Sequence, residues 1–184
     1  LAYSPDGRYI VSAWWRLGVW DVASGALLRT RSLAPYAANA LAMTPDGDVV
    51  TAGENLDLYR LSDLALLRRF NGHSGPAWAV ALSPDGEVVA SGGATLSHNP
   101  LPCEIRLRRA SDGVLLRTLT GHTSNVFSVA ISPDGGTLVS GSDDKTIKVW
   151  RLSDGALLRT VTAHTSSVYS VAISPDGGTL VSGS

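Results

Sequence analysis

Between residues 121 and 159 the chain alternates apolar and polar positions in four short runs, 126–131, 137–140, 146–150 and 156–160. Each run has the length and two-residue period of a β-strand with one face turned to a core. Clusters of Gly, Asp and Ser separate them. Pro133-Asp134-Gly135 predicts a tight turn between the first two runs. Proline presets the bend, Asp bonds to its own backbone, and Gly takes positive φ at no steric cost. Ser153-Asp154-Gly155 predicts the turn between the last two. The pattern therefore predicts a four-stranded antiparallel meander.

The same pattern recurs along the whole chain. A Ser/Thr-Pro-Asp-Gly turn begins at Ser4, Thr44, Ser83, Ser132 and Ser174, at spacings of 40, 39, 49 and 42 residues. A large side chain marks the third strand at Trp20, Tyr59, Arg108 and Trp150, and each is followed by the next turn 24 residues later. The Ser or Thr of the second strand (Ser12, Thr51, Ser91, Ser140, Ser182) lies 7 or 8 residues after its turn. Length varies almost only in the hairpin between the second and third strands, which needs 8, 8, 17 and 10 residues. Strand register explains this, because one slipped residue inverts every face, whereas a hairpin projecting into solvent tolerates insertion. The long insert, residues 94–103, carries two prolines and an Asn-Pro step, which predict an ordered excursion outside the ladder. Five units follow: 1–33, 34–72, 73–121, 122–163 and 164–184. The last two are near copies. Residues 122–142 and 164–184 differ only at Asn125/Ser167 and Phe127/Tyr169.

Within the fourth unit, Gly121-His122, Ser132-Pro133-Asp134-Gly135, Ser140-Gly141-Ser142-Asp143-Asp144 and Ile147-Lys148-Val149-Trp150 together resemble a WD repeat. The resemblance implies an all-β fold, a β-propeller whose blades are four-stranded antiparallel meanders. It implies an incomplete ring of about four and a half blades, because the chain opens late in a first strand and stops after a second. Open blade faces and strand edges favour aggregation, so two remedies are expected. Either the sequence is a piece of a longer chain, or copies associate to close the ring.

His122, Ser140, Asp144 and Trp150 match the structural tetrad of WD repeats, in which a buried His links a strand Ser to a turn Asp and a Trp N–H joins the network. Only the fourth unit has all four. Partial sets are His73 with Ser91, His164 with Ser182, and Ser12 with Trp20. The second unit has Ala34 and Tyr59 where the His and Trp would stand, and the third has Arg108 for the Trp. A Ser-His-Asp hydrolase triad is the sharper alternative. It is disfavoured because Ser140 sits mid-strand with no nucleophile elbow or oxyanion donors. His73, His122 and His164 recur once per repeat, which predicts different blades and no shared metal. The Ser-Pro-Asp-Gly turns also resemble sialidase Asp boxes and TolB-type propeller repeats, but the Gly-His and Trp signals favour the WD class.

By family geometry, Trp78, Phe127 and Tyr169 lie near the start of the innermost strand, at the mouth of the central channel; Asn39 takes that place in the second unit. The same face would carry the variable hairpins, with Trp15, Arg16, His98 and Asn99. Aromatic residues and Arg are enriched at protein interfaces, which makes this the candidate interaction face. The alternative is that the three inner aromatics pack between blades. Arg29, Arg68, Arg117 and Arg159 recur on the outermost strand, where charge protects an edge from pairing.

Composition narrows the functions. A net charge of −1 over 184 residues supplies no field for nucleic acid or an anionic membrane. No apolar run reaches the roughly 18 residues of a membrane span. No signal-peptide pattern opens the chain, and a cytoplasmic location is the expectation, although the lone Cys103 leaves the compartment open. No cofactor or metal site is read, and no convergent acids or phosphate loop point to an enzyme. The expected function is a non-enzymatic scaffold that binds a peptide or protein segment; the alternative is a structural or oligomer-forming repeat module.

Overall fold

A computed structural model describes residues 1–71, 73, 75–93, 103–162 and 164–184. Every element among them is a β-strand. The first sheet is β1 (Ala2–Tyr3), β2 (Tyr9–Ala13), β3 (Arg16–Asp21) and β4 (Leu27–Ser32). The second is β5 (Ala38–Met43), β6 (Val49–Gly53), β7 (Leu56–Tyr59) and β8 (Leu66–Phe70). The third is β9 (Ala77–Leu82), β10 (Val88–Gly93), β11 (Cys103–Arg109) and β12 (Leu115–His122). The fourth is β13 (Val126–Ile131), β14 (Thr137–Ser142), β15 (Ile147–Arg151) and β16 (Leu157–Val161). A final pair, β17 (Ser170–Ile173) and β18 (Leu180–Gly183), forms a half sheet. Each sheet is an antiparallel meander in sequence order. The innermost strands β1, β5, β9, β13 and β17 neighbour one another in that order, so the sheets stand side by side as blades. The ring is not closed.

The turns form as their chemistry requires. In Ser132-Pro133-Asp134-Gly135 the Ser132 hydroxyl donates to Asp134 and accepts from the Thr137 amide at 2.9 Å, while Asp134 accepts from the Gly136 amide at 2.9 Å. Gly135 has φ +70°, the left-handed region that a Cβ disfavours. The same bonds recur at Ser4, Ser83 and Ser174. Between the third and fourth strands, Asp154 accepts from the Ala156 amide at 3.0 Å and pairs with Arg151 at 2.7 Å.

The core lies between blades. Leu17 and Val19 of the first pack with Val49 and Tyr59 of the second; Val50 and Phe70 pack with Ala77 and Val89; Ile105 and Leu107 pack with Val126 and Trp150. Middle strands with a blade on each side are therefore largely buried, β6 at all five positions, whereas β2 of the first blade is buried only at Val11. The half sheet has no such cover on its far side, and Val181 of β18 is exposed.

The arginines of the outer strands do more than guard an edge. Arg68 donates to the Asp112 and Ser111 carbonyls at 2.8 and 2.6 Å, and Arg117 donates to the Ser153 carbonyl at 2.7 Å. Each reaches from one blade into the outer turn of the next. From the first blade the equivalent bond comes from Arg31, to the Leu64 carbonyl at 2.7 Å, and not from Arg29.

Candidate functional site

β12 of the third blade ends on His122, which crosses to the fourth sheet and faces Ser140 of β14. His122 Nε2 lies 2.7 Å from the Ser140 hydroxyl, and Nδ1 lies 2.7 Å from the Asp144 carboxylate. Trp150 Nε1 donates to Ser140 Oγ at 2.9 Å. Thr146 Oγ and the Thr123 amide donate to Asp144 at 2.6 and 3.0 Å. Burial lowers the His122 pKa against the pull of Asp144. Burial also pushes Asp144 up, but hydrogen bonds from Thr146, His122 and Thr123 outweigh it and hold that carboxyl at about 2. The charge state is thus a neutral imidazole beside a carboxylate. One donor direction fits every distance: Trp150 to Ser140, Ser140 to His122 Nε2, and His122 Nδ1–H to Asp144.

The order Ser–His–Asp is that of a hydrolase triad, but the surroundings are not. Ser140 is completely buried and its oxygen already accepts the Trp150 N–H, so a substrate carbonyl has no approach to it. The network fastens one blade to its neighbour instead. His73 bonds Ser91 and His164 bonds Ser182, each at 2.7 Å, and Trp20 donates to Ser12 at 2.9 Å. Each histidine bonds a serine of a different sheet. No three His, Cys, Asp or Glu side chains converge among the described residues.

Two blades solve the same problem differently, the second with Asp57 and Arg69, which the sequence reading passed over. In the second, Asp57 stands opposite Thr51 and Arg69 across the sheet. Arg69 pairs with Asp57 at 2.8 and 3.0 Å, and Tyr59 donates to it at 3.1 Å. Burial and the Asp57 charge push the Tyr59 hydroxyl up to about 12, so it stays a donor. In the third, the buried Arg108 donates to the Gly113 and Asn71 carbonyls at 3.1 and 2.6 Å. The available signal was register: Asp57 and Arg69 sit where Lys148 and Thr160 sit in the fourth blade.

Trp78, Phe127 and Tyr169 form one row across three blades. Trp78 meets Phe127 edge-on, with centroids 5.9 Å apart, and Phe127 stacks on Tyr169 at 5.4 Å. These side chains touch between blades while Trp78 remains 40 % and Tyr169 61 % exposed. Asn39 continues the row by donating to the Ala77 carbonyl at 3.0 Å. The two differences between units four and five lie in contacts with the preceding blade. Asn125 accepts from the Cys103 thiol, and Ser167 donates to Asp143 at 2.6 Å. Trp15 and Arg16 are exposed on the β2–β3 hairpin, at the end of the sheet equivalent to the row's. His98, Asn99 and the rest of the insert at 94–102 lie outside the described residues.

Antiparallel four-stranded blades, joined by a buried His–Ser–Asp–Trp network, define a repeat protein of the WD class. The family model described as WD40, a WD domain, G-beta repeat, matches residues 64–96, 113–151 and 155–184, more than half of the chain, and the chain belongs to that family. All three matched stretches open beside an outer strand and run into the next sheet. The sequence repeat and the blade are therefore staggered, and each repeat ties two sheets together. Among curated proteins no match was found. WD40 repeats are generally protein-interaction modules, and proteins built from them are typically non-enzymatic scaffolds. No helix among the described residues is long and apolar enough to cross a membrane.

Proposed function

We propose that this chain is a non-enzymatic scaffold that binds a peptide or protein segment on the face carrying the second-to-third-strand hairpins. The observation that supports this reading is the exposed row Trp78–Phe127–Tyr169, rigidified by ring contacts between blades. Pre-positioned aromatics bury much apolar area at little entropic cost, as interface anchors do. Peptides selected from a displayed library on the immobilised chain provide the test. The double substitution Trp78→Ala and Tyr169→Ala is expected to weaken selected peptides by about tenfold or more. Arg159→Ala, on the outer strand, is expected to change nothing. Selection that yields no peptide above background, or peptides indifferent to the aromatic substitutions, refutes the reading.

A second reading, self-association, is favoured by the far side of the half sheet. There Val181 is 62 % exposed, and on the other side of the half sheet, against the fourth blade, a cavity of about 830 Å³ opens between Val139, Val149 and Leu158 and Ile173 and Leu180. Sedimentation equilibrium showing a monomer mass at all concentrations would refute it.

A further inference from the structure

The second blade lacks the tetrad histidine. Ala34 stands four residues before β5, as His122 stands four residues before β13. A cavity of about 310 Å³ lies where the imidazole would be, between Ala34 and Tyr36 on one wall and Thr51, Asp57 and Tyr59 on the other. That volume is at the lower end of small-ligand sites.

The site is built and not merely a gap. The wall at 33–38 is fixed by backbone bonds from Leu33 N–H to the Trp15 carbonyl at 3.0 Å and from Ala38 N–H to the Trp14 carbonyl at 2.8 Å. Gly53 lets that wall approach, since a Cβ there would lie 2.3 Å from the Ala37 carbonyl oxygen. Thr51 occupies the register place of Ser140, is only 4 % exposed, and lines the cavity. Its hydroxyl bonds no other described residue, and because no sealed polar side-chain atom there is left unpartnered, it is open to the cavity. Asp57 is already taken up by Arg69 and Tyr59, so the floor is charge-balanced and does not call for a metal or a free cation. Glu54 and Asn55 stand at the hairpin end of the cavity and offer acceptors there.

We propose that this cavity binds an imidazole ring supplied from outside the chain. One ring nitrogen accepts the Thr51 O–H, as His122 Nε2 accepts from Ser140, and the opposite N–H donates toward Glu54 or Asn55. The ring comes either from a histidine of a partner segment or from a free imidazole-bearing small molecule. This site is separate from the aromatic row, so failure at one leaves the other standing.

Titration of the chain with imidazole alone, and separately with a short peptide carrying one central histidine, tests the proposal by backbone amide shifts. Changes are expected to concentrate at 33–38 and 51–57. Binding of imidazole assigns a small-molecule source; binding of the peptide alone assigns a partner histidine. Ala34→His, which fills the cavity from within, is expected to abolish binding. Thr51→Val keeps the shape and removes the hydroxyl, and is expected to weaken binding by about tenfold, the loss of one buried hydrogen bond. It decides the matter should Ala34→His not fold. Neither probe shifting these residues, or affinity unchanged by Thr51→Val, overturns the proposal.

Discussion

Removing the His122 ring tests whether the buried network holds the fourth blade to the third. In His122→Ala the completely buried Ser140 hydroxyl loses its acceptor, and the nearest alternative, the Lys148 carbonyl, is 3.5 Å away. A buried donor left without a partner costs about 1–3 kcal/mol. Asp144 suffers less, because Thr146 and the Thr123 amide still donate to it. The vacated ring volume beside Trp150 adds about 1–2 kcal/mol, at roughly 24 cal/mol per Å³ of cavity. The sum is about 2–5 kcal/mol, or about 4–20 °C in melting temperature for a chain of this size. His164→Ala is the control. That ring bonds only Ser182 and both residues are partly exposed, so its loss is expected to cost less than about 1 kcal/mol. Urea unfolding at pH 7, followed by tryptophan fluorescence, measures both. A double-mutant cycle with Ser140→Ala is expected to show coupling of about 1–3 kcal/mol. A His122→Ala midpoint equal to that of His164→Ala would refute the reasoning.

Two further outcomes follow. Burial first, then Arg106 and Arg108, lower the His73 pKa to about 4, and burial lowers that of His122. Between the unfolded value near 6.5 and these folded values the unfolded chain binds more protons, so stability is full above pH 6.5 and falls as pH drops toward 4. His73→Gln is expected to flatten part of this loss in urea midpoints measured from pH 7 to pH 4; an unchanged profile would contradict the buried, neutral ring. Gly135→Ala is expected to cost about 1–2 kcal/mol through backbone strain alone, since the nearest atom to a Cβ there is Pro84 Cδ at 3.8 Å. An equally stable variant would show that the turn relaxes to negative φ.

Much of the architecture was legible because it is local. Turn chemistry at Ser132 to Gly135 and the two-residue period placed β13 to β16 to within two residues at each end. His122, Ser140, Asp144 and Trp150 were legible through the resemblance to a WD repeat, although His122 ends a strand of the third sheet and the other three belong to the fourth. Asp57 and Arg69 were not. Each reads as an ordinary charged residue until register puts them opposite one another. The clasps made by the outer arginines were not legible for the same kind of reason, since Arg117 and its acceptor Ser153 are 36 residues apart and meet only across two blades.

Taken alone, the amino-acid order determined which segments are strands, where they turn, and that the same meander recurs. Those properties depend on neighbours a few residues away, through turn geometry and side-chain alternation. Tertiary structure decided everything that lies between blades: the aromatic row, the arginine clasps, the replacement network at Asp57 and the cavity beside Thr51. These join groups about one repeat apart, and only the stacking of one sheet's buried face on the next brings them together.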